Sequence, residues 1–287
     1  MATPQFTLDD VWLKANFSDL TDFDLIGQGG QKLVFGAKHA ADGAVVLKIF
    51  QPGQAFDEVE REILAVQRVQ SPHVPHILTH GTVDTPIGRC YWFREERVQG
   101  ETLRARLARG PLTPSEVLRV GKEILSALVL AEGAAIVHRD VKPDNIIVDA
   151  QGKYWLLDFG LARHLSLDSL TATGRPYGKM TVGYAPPEQA RNDKRNIDSR
   201  ADLFGLGITL YECAIGINPF REGARDGREV LQRSESMILP PLNLPIKDSA
   251  SFRDFIASMT QKRRDHRPAD TAEAAIWMNE VCAANGI

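Results

Sequence analysis

Cysteine is scarce in this chain: three in 287 residues, at Cys90, Cys213 and Cys282. They are odd in number and far apart, which excludes a disulfide framework and a cysteine-based metal site; a reducing, cytoplasmic setting is the expectation. A strong charge of either sign is also missing. The net charge of −3 is too mild to suggest a nucleic-acid binder or a binder of acidic surfaces, and the short cluster "QKRRDHR" at 261–267 reads as a solvated face. Long apolar runs are absent too. The longest, "ILSALVLAEGAAIV", is broken by Glu132 and Gly133 and is too short to span a membrane. The opening "MATPQFTLDD" lacks the basic-then-apolar order of a secretory leader, and no repeat or low-complexity tract occurs. What is present is 43% hydrophobic and 25% charged residues, the make-up of a globular protein with one large domain or two lobes.

Residues 22–50 alternate in the manner of strands: "DFDLIG", "KLVFGAKH", "AVVLKIF", with "ADG" at 41–43 as a tight turn between the last two. Over 56–69 the spacing turns helical, with Val59, Ile63, Val66 and Val69 on one face. Strand-like material then runs to about Val98. Helices dominate afterwards. Thr113 is placed as an N-cap, with Pro114 at the first helical position and Glu116 closing a capping box. Val117, Val120, Ile124 and Leu128 form the apolar stripe of that helix, and Gly133 its stop. "DAQG" at 149–152 is a turn, and further helices are expected at about 200–215, 249–259 and 271–283. A β-rich part thus precedes an α-rich part, joined near 96–102; the first 20 residues have no reading of their own.

The stretch "IVHRDVKPDNIIV" at 136–148 sets Asp140, Lys142 and Asn145 between two apolar runs. An unpaired charge beside a core is costly, so packing gives no reason for them. Chemistry does. Asp158, in "LLDFGLA", follows a turn that can bring it back near Asn145, and the two supply the hard oxygen ligands Mg²⁺ prefers. Lys142 can neutralise a phosphoryl group and Asp140 can accept a hydroxyl proton. These are the parts phosphoryl transfer requires.

On these residues the chain resembles the eukaryotic-like (Hanks-type) Ser/Thr protein kinases of bacteria. "HRDVKPDN" (138–145) resembles their catalytic loop, "DFG" (158–160) their metal motif and "GQGGQKLV" (27–34) their glycine-rich loop. "VVLKIF" (45–50) resembles the strand of the phosphate-binding lysine, "VGYAPPEQ" (182–189) the end of the activation segment, "SRADLFGLGITLYE" (199–212) the central helix, and "RDHRP" (264–268) the late arginine motif. The resemblance covers about 21–285. It implies an α+β, bilobal fold: an extension over 1–20, a small β-rich lobe with one main helix over 21–98, and a larger helical lobe over 99–287.

The resemblance also implies roles. Asp140 is the base, Lys142 the phosphate-stabilising lysine, and Asn145 and Asp158 the ligands of Mg²⁺ (or Mn²⁺). Lys48 reaches the ATP phosphates and is held by a helical glutamate, Glu62, with Glu58 and Glu60 as competitors. Gly27, Gln28, Gly29 and Gly30 lie along the phosphates; Ile26, Val34, Val46 and Ile147 enclose adenine, with backbone bonds from 96–98. Thr181 positions a Ser/Thr acceptor, and Lys142 also fits the Ser/Thr pattern. His138 braces the loop and Asp202 anchors it. Arg139 reads a phosphate on the activation segment, where Thr171 and Thr173 are favoured over Ser166 and Ser169. Glu188 pairs with Arg267. The implied activity is transfer of the ATP γ-phosphate to protein Ser/Thr hydroxyls, with autophosphorylation.

Three residues depart from the family pattern. Lys32 replaces the third loop glycine, Pro186 starts the "APE" triplet's neighbourhood as "PPE", and Glu95 stands before the hinge Glu96 where an apolar residue is usual. Two alternatives remain open: a pseudokinase scaffold, and a small-molecule kinase of related fold, against which the arginine of "HRD" and the long activation segment speak. His73, His76 and His80 read as loop residues of the small lobe rather than as metal ligands. The protein substrate and oligomeric state are not legible.

Overall fold

The computed structural model describes residues 7–28, 32–52, 56–159, 181–193 and 196–287, with the backbone alone for 56–59 and 62. The chain divides into two units, Met1–Arg68 with Pro75–Val98, and Val69–Val74 with Gln99–Ile287.

In the first unit a five-stranded antiparallel sheet has the order β1-β2-β3-β5-β4, from β1 (Leu20–Gln28), β2 (Lys32–His39), β3 (Gly43–Phe50), β4 (Ile77–Thr85) and β5 (Gly88–Glu96). The β2–β3 turn is tight because Gly43 takes φ +73°, a region glycine enters without strain. Directly opposed residues share a face of a sheet. Leu33, Phe35, Ala37, Val45, Leu47, Ile49 and Cys90 point to one face and are buried. A short helix, α1 (Asp10–Asn16), covers it with Leu13; Phe17 follows, packing edge-on against Trp92 with ring centroids 5.1 Å apart. Within the first 20 residues, left without a reading, Leu13 and Phe17 therefore close a core. Asp9 caps α1 by accepting the Trp12 N–H at 2.8 Å, a local signal too short to stand out from the sequence. The other face carries Val34, Val46, Lys48, Phe93 and Glu95, from the pairs Val34↔Lys48, Val46↔Glu95 and Lys48↔Phe93. The helix α2 (Phe56–Gln67) belongs to this unit and buries Ile63 and Val66.

The second unit holds a small sheet, β6 (Gly100–Thr102), β7 (Ile146–Asp149) and β8 (Tyr154–Leu156), and most of the helices. Helix α3 (Leu103–Leu107) is followed by α4 (Pro114–Gly133), whose capping box between Thr113 and Glu116 is formed as expected. Helix Arg200–Ile215 is buried at nearly every position and is the axis of the unit. Helices Ser249–Met259 and Thr271–Ala284 fall where the spacing places them, while Pro187–Ala190 and Gly227–Ser236 are additions. Glu132, the charge that interrupts the apolar run of α4, ties this unit together: it accepts from the Ser199 hydroxyl and from the Thr271 N–H and hydroxyl. No helix among the described residues is long and apolar enough to cross a membrane.

Candidate active site

Lys48 sits in the second half of β3 with only 3% of its surface exposed. A buried ammonium needs an anionic partner. Glu95, itself 7% exposed, provides one: Oε1 lies 2.5 Å from Lys48 Nζ. The Phe93 ring is 5.3 Å from the same nitrogen, within reach of a cation–π attraction. The acidic residue expected to be out of place before the hinge thus meets the lysine. The side chain of Glu62 lies outside the described residues, so its pairing with Lys48 is not addressed. Val34 and Val46 lie on the same face as Lys48, Ile26 is exposed near the end of β1, and Gly27 approaches Val34. Gln28 ends β1; Gly29 and Gly30 lie outside the described residues. The strand's continuation is held by main-chain bonds, from the Glu96 N–H to the His76 carbonyl and from the Arg97 N–H to the Ala44 carbonyl.

In the second unit the charged stretch is a loop moored from below. Asp202, on helix Arg200–Ile215, accepts the main-chain N–H groups of His138 at 2.7 Å and Arg139 at 2.6 Å, one on each oxygen. Burial pushes its carboxyl up to about 7, against those two donors and the Arg139 charge. Gly205, one turn on, lets the loop approach: a β-carbon there would stand 2.9 Å from the Val141 carbonyl oxygen. His138 is fully buried, stacks edge-on to Phe159 at 4.8 Å, and shares its Nε2 proton with the Leu157 carbonyl at 2.7 Å while Nδ1 accepts the Asp140 N–H. Arg139 takes φ +63° and Asp158 φ +58°, left-handed conformations that non-glycine residues adopt at a cost and that functional loops retain.

These constraints aim three side chains at one point. Lys142 Nζ donates to Asp140 Oδ2 at 2.9 Å and to the Thr181 hydroxyl at 2.6 Å, and that hydroxyl donates to Asp140 Oδ1 at 2.9 Å. Asn145 Nδ2 donates to the carbonyl and to Oδ2 of Asp140, at 2.9 and 3.1 Å. With its amide nitrogen so used, Asn145 has a carbonyl oxygen to offer, and Asp158 a carboxylate, both of the donor type that could hold a hard cation. Ile147 is half-buried on β7.

The segment after Thr181 is tied down at each step. The Gly183 carbonyl accepts from Asn218 Nδ2 at 3.0 Å, and Gln189 Nε2 donates to the Arg139 carbonyl at 2.8 Å. Tyr184 donates to Glu212, and Arg104 bridges Glu212 at 2.5 Å, the Tyr184 oxygen at 2.5 Å and Asp144 at 3.3 Å. Burial and the adjacent Glu212 charge push the Tyr184 phenol above its ordinary range. Burial weighs against the Arg104 charge, but Glu212 and Tyr184 outweigh it and hold the guanidinium above its usual value. Sequence reasoning missed Arg104, Glu212 and Asn218, because each acts on a residue distant in the chain. Glu188 meets Arg267 as expected, Nη1 to Oε1 at 2.6 Å. Ser166, Ser169, Thr171 and Thr173 lie outside the described residues. Of the histidines, His73 Nδ1 is bonded to the Tyr154 carbonyl at 2.8 Å, His76 is 3.7 Å from Glu96, and His80 stacks on Tyr91.

A model of the protein kinase domain matches residues 20–279. Among characterised proteins, the serine/threonine-protein kinase PknH of Mycobacterium tuberculosis is 33% identical over 267 residues, covering 90% of this chain and 41% of that protein. PknD of the same species is 34% identical over 69% of this chain and 30% of the relative, and PknL 36% over 68% and 49%. The chain spans less than half the length of these relatives. With the motifs in order from the glycine-rich loop to Arg267, and with both comparisons spanning most of its length, the chain belongs to the protein kinase domain family, among the Hanks-type Ser/Thr kinases.

Proposed function

We propose that this protein transfers the γ-phosphate of MgATP to serine and threonine hydroxyls of proteins, as a non-specific Ser/Thr protein kinase. The observation that carries the reading is the contact of a threonine hydroxyl with Asp140: Thr181 Oγ1 donates to Oδ1 while Lys142 and Asn145 occupy Oδ2. An acceptor hydroxyl bound in the same way has its oxygen oriented and its proton pointed at a carboxylate. As that oxygen bonds to the γ-phosphorus, Asp140 takes the proton and ADP leaves. Lys142 offsets the negative charge of the moving phosphoryl group, and Lys48 holds the α- and β-phosphates. Asn145 and Asp158 are the residues to hold Mg²⁺ (or Mn²⁺), which when bound neutralises charge on the phosphate oxygens. Ile26, Val34, Val46 and Ile147 supply apolar surface for adenine, and Gly27 to Gly30 the amides for phosphate. The relatives' names agree with a Ser/Thr protein kinase.

The reading includes autophosphorylation at Thr171 or Thr173, with Arg139 as the cation that would meet the phosphate. The test is radiolabelled phosphate transfer to a generic basic protein substrate and to the chain itself, with sites assigned by mass spectrometry. Asp140→Asn is expected to lower turnover by about 10²–10⁴-fold, the usual contribution of a general base. A wild type that binds MgATP and transfers nothing would leave a nucleotide-binding scaffold instead. An Asp140→Asn variant with undiminished turnover would overturn the assignment of the base.

A further inference from the structure

Lys48 and Glu95 are not opposed in the sheet. Lys48 lies across from Phe93, and Glu95 across from Val46. They are diagonal neighbours on the same face, a separation that two long side chains can span. Both are at least nine-tenths buried, and their charged atoms are 2.5 Å apart. Burying two charges is costly, and a hydrophobic residue at 95 would avoid that cost for the acid. The pair therefore calls for a reason beyond packing.

β3 and β5 are hydrogen-bonded neighbours in a continuous antiparallel ladder, from Val45↔Glu96 to Ile49↔Trp92. A carboxylate fixed in that ladder holds the ammonium from a rigid element, and the Phe93 ring beneath it limits where the nitrogen can go. We propose that Glu95 is a positioning residue for Lys48: the sheet itself supplies an anionic anchor that fixes the ammonium in the pose that receives nucleotide phosphate. This rests on the kinase reading above and extends it, since the family resemblance implies only an anchoring glutamate on α2, Glu62.

Glu95→Gln retains the size of the side chain and removes its charge. Steady-state kinetics of phosphate transfer, with ATP varied, should show KM for ATP raised by roughly tenfold to a hundredfold, the scale on which misplaced binding groups act, with KM for the protein substrate unchanged. Glu95→Asp should recover part of the loss, because the charge returns on a shorter arm. A purely structural carboxylate would lower the melting temperature and leave KM for ATP where it was, which overturns the proposal. A wild type that transfers no phosphate would overturn the kinase reading alone. The MgATP dissociation constants of the wild type and the Glu95 variants, measured by calorimetry, then decide the role of Glu95: a Glu95→Gln variant that binds MgATP as tightly as the wild type overturns it.

Discussion

Arg267 and Glu188 form a bidentate ion pair, Nη1 to Oε1 at 2.6 Å and Nη2 to Oε2 at 3.0 Å, and the arginine side chain has no exposed surface. The remaining guanidinium donors go to main-chain carbonyls: Nε to Gln261, Nη1 to Arg200 and Nη2 to Lys262. The planar fork thus joins the end of the activation segment, the start of the central helix and the loop after Ser249–Met259 in one knot. Lysine, with a point charge, could not make this set of contacts.

Removing the arginine leaves Glu188 with an uncompensated charge in a mostly buried site. Arg267→Ala is expected to lower the free energy of unfolding by about 3–5 kcal/mol. The double variant Arg267→Met/Glu188→Leu should recover much of that, since it removes both charges. Urea unfolding of the three proteins measures it, and an Arg267→Ala variant with the wild-type midpoint would show that the pair contributes nothing.

Gly205 concerns activity rather than stability. A β-carbon there would meet the Val141 carbonyl oxygen at 2.9 Å, closer than main-chain atoms tolerate, and Val141 follows Asp140 directly. Alanine is the better helix former by about 1 kcal/mol, so the helix itself gains from the change. The loop has to move. Gly205→Ala should therefore melt close to the wild type yet turn over roughly 10–10²-fold more slowly, as a catalytic group displaced by a fraction of an ångström would. Wild-type kcat in this variant would mean that the loop does not depend on the close approach.

What could be read from the sequence was local. "HRDVKPDN" and "DFG" identify their chemistry because residue types and spacing are the signal, and the Thr113–Glu116 capping box is contained in four residues. The alternation of 32–39 and 43–50 gave both strands and the turn between them. What could not be read depends on register and on contacts across the chain. Glu95 looked misplaced because its partner becomes visible only once β3 and β5 are aligned. Glu212 reads as one more charge in a helix until Arg104 and Tyr184 surround it. Helix Gly227–Ser236 was missed although Asp226 accepts the Glu229 N–H, a capping signal present in the sequence; its few apolar residues hid the period.

Lys262 shares the aromatic floor under Arg267. Its Nζ lies 4.4 Å from the Phe220 ring centre and 5.2 Å from that of Phe204, on which the Arg267 guanidinium also rests at 5.0 Å. Among the described residues the buried nitrogen has no hydrogen-bond partner. Burial, and then the Arg267 charge, push its pKa down to about 8 from an ordinary value of 10.5. The aromatic faces attract the cation and so work against the loss of hydration. Below pH 8 the amine is charged in both the folded and unfolded chain, and folding bears the full cost of burying it. Above about pH 10.5 it is neutral in both, and the cost is gone. Between these limits the unfolded chain binds more protons, so this group makes stability rise with pH. Lys262→Met removes the charge and keeps the linear side chain. The variant is expected to be more stable than the wild type at pH 7, with the difference shrinking from pH 8 to about 10.5, while the other lysines and tyrosines cancel in the comparison. Urea midpoints at pH 7, 8, 9 and 10 read this directly, and two parallel curves would show that Lys262 is buried at no electrostatic cost.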